Sequence, residues 1–259
     1  MRMKCTSASG LRRNPEKGEY GRARRGGAST GAWRLAQTGH SVLDCPPMSS
    51  EDDDPPPQAP ANTPGTWENV PGPVVDLCQS LSDFVEAALG IRPDFTPETL
   101  PLVDHYVTEA RMNLEGRPEV LDLVAQGVGA YFGEVVRRHL AGFWHVPSPN
   151  HHDWLLCGES AYFAINPIGV GYETVTGRPD HDGPSPAIKL ANEDREAVHA
   201  KLANLPPVPE SEYYSLSARL EVLETVVDVV LALSQDRGYG ETTYDARDYL
   251  VNVGIQYLS

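Results

Sequence analysis

No stretch of this sequence is long and apolar enough to cross a bilayer. Its longest aliphatic run, Val226–Leu233, is broken by Asp228, whereas a spanning helix needs roughly 20 apolar residues. No membrane span is therefore expected. Cysteine is scarce as well: Cys5, Cys45, Cys78 and Cys157 are the only four, and none forms the Cys-x-x-Cys pair of a zinc or redox motif. Reduced thiols in a cytoplasmic protein are the simpler expectation. Also missing are a cofactor fingerprint, zinc-finger spacing and a complete catalytic signature, so no cofactor is expected.

Basic residues are few and unevenly placed. The chain holds 21 Lys and Arg against 36 Asp and Glu, a formal charge of −15. Residues 1–47 contain nine basic and three acidic residues, 9 − 3 = +6, which leaves −15 − 6 = −21 for the remainder. Nucleic acids are bound by neutralising phosphates with Lys and Arg, so an acidic body argues against DNA or RNA as a ligand.

What is present points to a folded body behind a long unstructured start. The 259 residues, 40 % hydrophobic, suffice for one large domain or two small ones. Residues 1–72 read as a disordered segment. The first 47, rich in Gly, Arg and Ser, lack any helical or strand period and any secretory signal core. An organelle transit peptide and a basic nucleic-acid-binding tail share that composition. The preferred reading is an over-long gene model with the true start at Met48. Residues 48–72, opening "MSSEDDDPPPQAPANTPG", are an acidic, proline-rich tail. A single α+β domain is expected over 73–259.

Within that domain the apolar spacing predicts helices first. Val74, Leu77, Leu81, Phe84 or Val85, and Ala88 recur at helical intervals up to Gly90. Thr96 can cap and Pro97 can start a second helix, with Leu100, Val103, Val107, Ala110 and Leu114 on one stripe. Pro118 opens a third helix of about six turns, with Leu121, Val124, Val128, Tyr131 or Phe132, Val135 and Leu140 facing inward. Ala125, Gly129 and Gly133 lie four apart on it. Glycine costs about 1 kcal/mol there relative to alanine, so a neighbouring helix or sheet should approach that face closely.

After Gly142 the pattern becomes strand-like. "FWHV", "DWLLCG" and "AYFAIN" are short, aromatic or branched, and separated by Pro, Asn and Gly, which predicts a three-strand meander. "PIGVGYETVTG" is expected to add a fourth strand around Gly171–Val175. Three helices come after it: one capped by Asn192, a long one with Leu216, Leu220, Leu223, Val227 and Val230 inward, and "YDARDYLVNVGIQYL". Helices on both sides of a small antiparallel sheet of three or four strands define the α+β class.

Chemistry-bearing residues concentrate in "FWHVPSPNHHDWLLCGES". His145, His151, His152 and Asp153 are the right donor types for a tetrahedral metal site. However, adjacent His151 and His152 point to opposite sides of an extended chain, so at most one joins His145. The competing reading is a polar turn in which Asn150 and Asp153 supply turn chemistry and Trp144 and Trp154 pack inward. Ser160, in Gly-Glu-Ser-Ala, resembles a nucleophile elbow, with Asp180 and His181 later in the required order. A strand rather than a helix should come next, which removes the geometry that mechanism needs.

Glu134 has Arg137 and Arg138 three and four residues later, the spacing of exposed ion pairs on a helix face. The sharper alternative is a partly buried carboxylate that orders the nearby strands or a ligand. "GAYFGEVVRRHLAGFWHV" resembles the Tyr-x-Gly-Glu helix followed by a Gly-x-Trp strand of several bacterial domain families of unknown function, over Gln126 to Trp144. The resemblance implies a helix-to-sheet architecture and a bacterial origin, and it carries no activity. Arg219 is a second binding candidate, expected to pair with Glu134 or Glu224.

Two functions agree with these features. The first is a non-enzymatic immunity-like or adaptor-like protein that recognises a partner with a basic surface. The alternative is a metal-dependent hydrolase using the His145–His152 loop.

Overall fold

A computed structural model describes residues 67–253 apart from 115, 210 and 211, with backbone alone for 250–253. The expectations for the leader, for most of the acidic tail and for residues 254–259 lie outside the described residues. The expected boundary at residue 73 needs moving. Trp67 and Val70, assigned to the tail by their proline-rich surroundings, pack against the core.

Helix α1 (Gly72–Leu89) buries Val74, Cys78, Leu81 and Val85, leaves Phe84 outside, and stops at Gly90. Gly90 adopts φ 72°, the left-handed conformation that glycine tolerates, and its amide closes on the Glu86 carbonyl. A 3-10 turn, Pro97–Thr99, leads into α2 (Leu100–Leu114). The Thr96 side chain does not cap this turn; it donates to Asp94 at 2.7 Å instead. Leu100, Val103, Val107 and Leu114 are buried as their spacing requires.

Helix α3 (Pro118–His139) departs from the single-stripe expectation. From Val124 to Val136 every residue except Gln126 is buried. Such a helix is covered on several sides, here by α1, α2, the sheet and a helix α4 (Pro167–Thr176).

Helix α4 replaces the strand expected at Gly171–Val175. Its start obeys ordinary capping rules: Asn166 at the N-cap accepts from the Gly169 amide, and Pro167 takes the first turn. The branched residues Ile168, Val170 and Val175 gave it a strand-like composition, but they serve burial rather than β-pairing. The tight approach expected of the glycine stripe is present. A Cβ on Gly171 would lie 2.1 Å from the Ala125 carbonyl oxygen and 2.5 Å from the Gly129 nitrogen. One on Gly133 would lie 2.4 Å from the Trp144 ring.

Strands β1 (Gly142–His145), β2 (Leu155–Gly158), β3 (Phe163–Ile165) and β4 (Lys189–Leu190) form one antiparallel sheet in sequence order. Trp144 stands opposite Leu156, and Cys157 opposite Ala164. β2 is buried on both faces, which is why its sequence does not alternate. Leu156 joins the main core; Leu155 and Cys157 join a second cluster on the other face with Tyr162, Ala164 and Tyr249.

Helices α5 (Arg195–Leu202), α6 (Leu216–Asp236) and α7 (Ala246–Val253) complete the α+β fold. The expected cap Asn192 is exposed in a turn, and Asp194 holds the N-cap position of α5. The five predicted aliphatics of α6 are all buried, each contributing roughly 1.5–3 kcal/mol. Ser215 caps α6 locally. From α2, the Asp104 carboxylate accepts from the Leu216 and Ser217 amides at 2.7 and 3.2 Å. From α7, Tyr249 donates to the Gly158 carbonyl at 2.7 Å and stacks on Tyr162, closing the second cluster.

Candidate functional site

Glu134 occupies the helix that is buried all round, and its side chain is 0 % exposed. The expectation of an exposed ion-pair face is therefore corrected. Helical spacing brings Arg137 and Arg138 over the carboxylate. Arg137 donates through Nε and Nη2 at 2.8 Å each, Arg138 donates through Nε at 2.7 Å, and the Trp144 indole approaches Oε2 at 3.4 Å. Arg138 then lies over the rings of Trp67 and Phe95, at 5.1 and 4.7 Å. Phe95 stacks on Tyr131, whose hydroxyl accepts from the Phe95 amide at 2.9 Å.

The cluster thus ties α3 to the entry segment, to the turn before α2 and to β1. With three donors from its own helix and the Trp144 indole from β1, the carboxylate is turned to internal partners. Beneath it, burial chiefly, and the Glu134 charge secondarily, hold the Cys78 thiol well above its ordinary pKa, so it is not a thiolate nucleophile.

Arg219 pairs with neither expected partner. It reaches Glu173 on α4 and lies over Tyr213 and Tyr214 at 5.2 and 5.6 Å. Glu224 pairs instead with His139 at 2.6 Å. The Glu173 pairing depends on α4 being a helix, so reading 171–175 as a strand concealed it.

The histidine-rich stretch forms a turn. His145 ends β1 and is buried, which lowers its pKa; burial does the same for His151, with a smaller push from His152. His151 lies edge-on to Trp154, His152 is exposed, and Asp153 accepts from Ser148 at 2.7 Å. Asn166 anchors the turn by donating to the His151 carbonyl at 2.8 Å. Among the described residues no group of three or more His, Cys, Asp or Glu side chains is placed to hold a metal ion. Cys157 lies on the far face of the sheet, its thiol pushed up to about 12 by burial. Ser160 leads into β3 rather than a helix, and His181 stacks on Tyr172.

Sequence reasoning missed a cleft of about 510 Å³ between the start of α5, the end of α6 and the start of α7. Its lining includes Tyr162, Tyr239 and Tyr244, with Glu193, Asp194 and Asp248 beside Arg237 and Arg247. Asp194 is buried and lies within ion-pair distance of Arg237, 2.6 Å, without hydrogen-bond alignment. One lining base is thereby neutralised. The contributing residues are spread over more than eighty positions, so no local motif announces them.

Comparison with protein-family models, with curated proteins and with solved structures finds no match to this chain.

Proposed function

We propose that this is a non-enzymatic cytoplasmic binding protein that recognises a protein partner with a basic surface. The observation carrying the reading is the division of charge between interior and exterior. Among the described residues, twenty-one acidic side chains belong to exposed positions against nine basic ones. Of those nine, Arg92 is engaged by Asp83 and Glu86, and Arg237 by Asp194. Arg137, Arg138 and Arg219 are turned to internal pairs with Glu134 and Glu173. A surface of one sign accelerates encounter with the opposite sign and repels its own.

The cleft beside α5 and α7 is the inferred point of contact. Tyrosine rings beside the exposed carboxylates of Glu193 and Asp248, which outnumber the remaining lining base Arg247, suit the ammonium or guanidinium end of a partner side chain. Buried thiols at Cys78 and Cys157 agree with a reducing compartment.

The resemblance to bacterial families remains an inference about origin. Its support is that the motif residues interlock, Gly133 leaving room for the Trp144 ring and Trp144 reaching Glu134. That interlock is a packing device and supplies no activity.

Zero-length carbodiimide cross-linking in native lysate tests the reading, because it joins carboxylates only to amines they touch. A partner lysine joined to Glu193 or Asp248 is the expected product. Cross-links scattered over the acidic surface, with no recurring partner, would contradict it.

A further inference from the structure

We infer that a second cleft, between the end of α2, the start of α3 and the end of α4, binds a small organic anion that carries a short apolar group. The cleft measures about 600 Å³ and gathers Arg111, Arg117 and Arg178, with no Asp or Glu among its described lining residues. In a chain with 36 acidic residues and 21 basic ones, three arginines converging on one concavity are an exception to the surface. Arg111 is fixed: it donates to the carbonyls of Thr174 and Val175 at 2.9 and 3.1 Å, capping the end of α4. Arg117 sits at the N-cap of α3, and Arg178 comes directly after Gly177, whose left-handed φ of 66° ends α4. Both are exposed, and neither is in an ion pair with a described residue.

Three like charges around one hollow repel one another, and a bound anion relieves that repulsion. Guanidinium groups favour carboxylate or phosphate because the planar fork matches two oxygens. The floor between them is apolar, made by Leu114, Leu121 and Val175. An anion with a hydrocarbon portion fits both halves of the cleft, and an inorganic anion fits only one.

Titration of the full chain with hexyl phosphate, hexanoate, inorganic phosphate and hexanol, followed by amide NMR, tests this. Saturable shifts centred on Leu121, Val175 and Thr176 are expected for the two amphiphilic anions, which bind more tightly than inorganic phosphate or hexanol. The double variant R117Q/R178Q should weaken hexyl phosphate by at least about tenfold. R117K/R178K, which keeps the charge, should lose less, separating a binding role from a folding one. A smaller loss in R117Q/R178Q, equal binding of hexanol, or shifts centred elsewhere would overturn the inference.

Discussion

Glu134 and Arg137, one helical turn apart on α3, form a two-point ion pair whose carboxylate is entirely removed from water. Burying a carboxylate is costly unless donors fill its lone pairs, and here Arg138 and Trp144 join Arg137 in doing so. Glu134→Ala would leave two guanidinium groups facing an apolar wall. The expected loss is about 3 kcal/mol, read as a lower urea midpoint at unchanged slope. Glu134→Gln keeps shape and one acceptor and should lose less. A midpoint unchanged in both variants would show that the pair is not holding the fold.

Gly171 packs its backbone directly against Gly129 and Ala125. Gly171→Ala places a methyl group 2.1 Å from the Ala125 carbonyl oxygen, and overpacking of that kind costs about 1–3 kcal/mol or more. Gly72→Ala at the start of α1 meets no atom beyond its chain neighbours within 4 Å, but the following Pro73 disfavours a helical residue that carries a Cβ, so no clear gain is expected. Thermal unfolding should therefore drop clearly in Gly171→Ala and change little in Gly72→Ala.

Buried histidines set the acid limb of stability. His145 and His151 have folded pKa values held below the ordinary one by burial, so the unfolded chain binds these protons more readily. Their contribution is complete above about pH 6.5 and falls as pH drops through that value. Urea midpoints should fall from pH 7.5 to pH 5.5, and His151→Gln should flatten the slope. Asp104 has the opposite sense: burial raises its pKa despite the amides of Leu216 and Ser217, and its effect lies at lower pH.

Asn166 is a joint between the histidine turn and α4. Its side chain accepts from Gly169 and donates to the His151 carbonyl. Asn166→Ala removes both bonds at a cost of about 1–2 kcal/mol. Hydrogen exchange should quicken at the Gly169 amide first; protection unchanged there would show that the cap is dispensable.

The architecture was largely legible because it rests on local rules. Helical periods marked α1, α2, α3 and α6, and short aromatic runs marked β1 to β3. The glycine stripe correctly announced a close neighbour of α3, but not that the neighbour was α4. There, β-branched residues outweighed the Asn166–Pro167 start signal. Burial of Glu134 was one of two readings left open, since residues i+3 and i+4 look alike on a solvated face and on one covered by Trp67 and Phe95. The two clefts were invisible for a simpler reason: each is assembled from three separate helix ends.

Recognition of a basic partner at the tyrosine-lined cleft is tested by titrating the full chain with a short lysine- and arginine-rich peptide, followed by amide NMR. Shifts centred on Glu193, Tyr244 and Asp248 are predicted, weakening several-fold between about 0.05 and 0.5 M salt as the charges are screened. They should be lost in E193Q/D248N. Absence of saturable shifts, or shifts of equal size with a glutamate-rich peptide, would contradict the proposal.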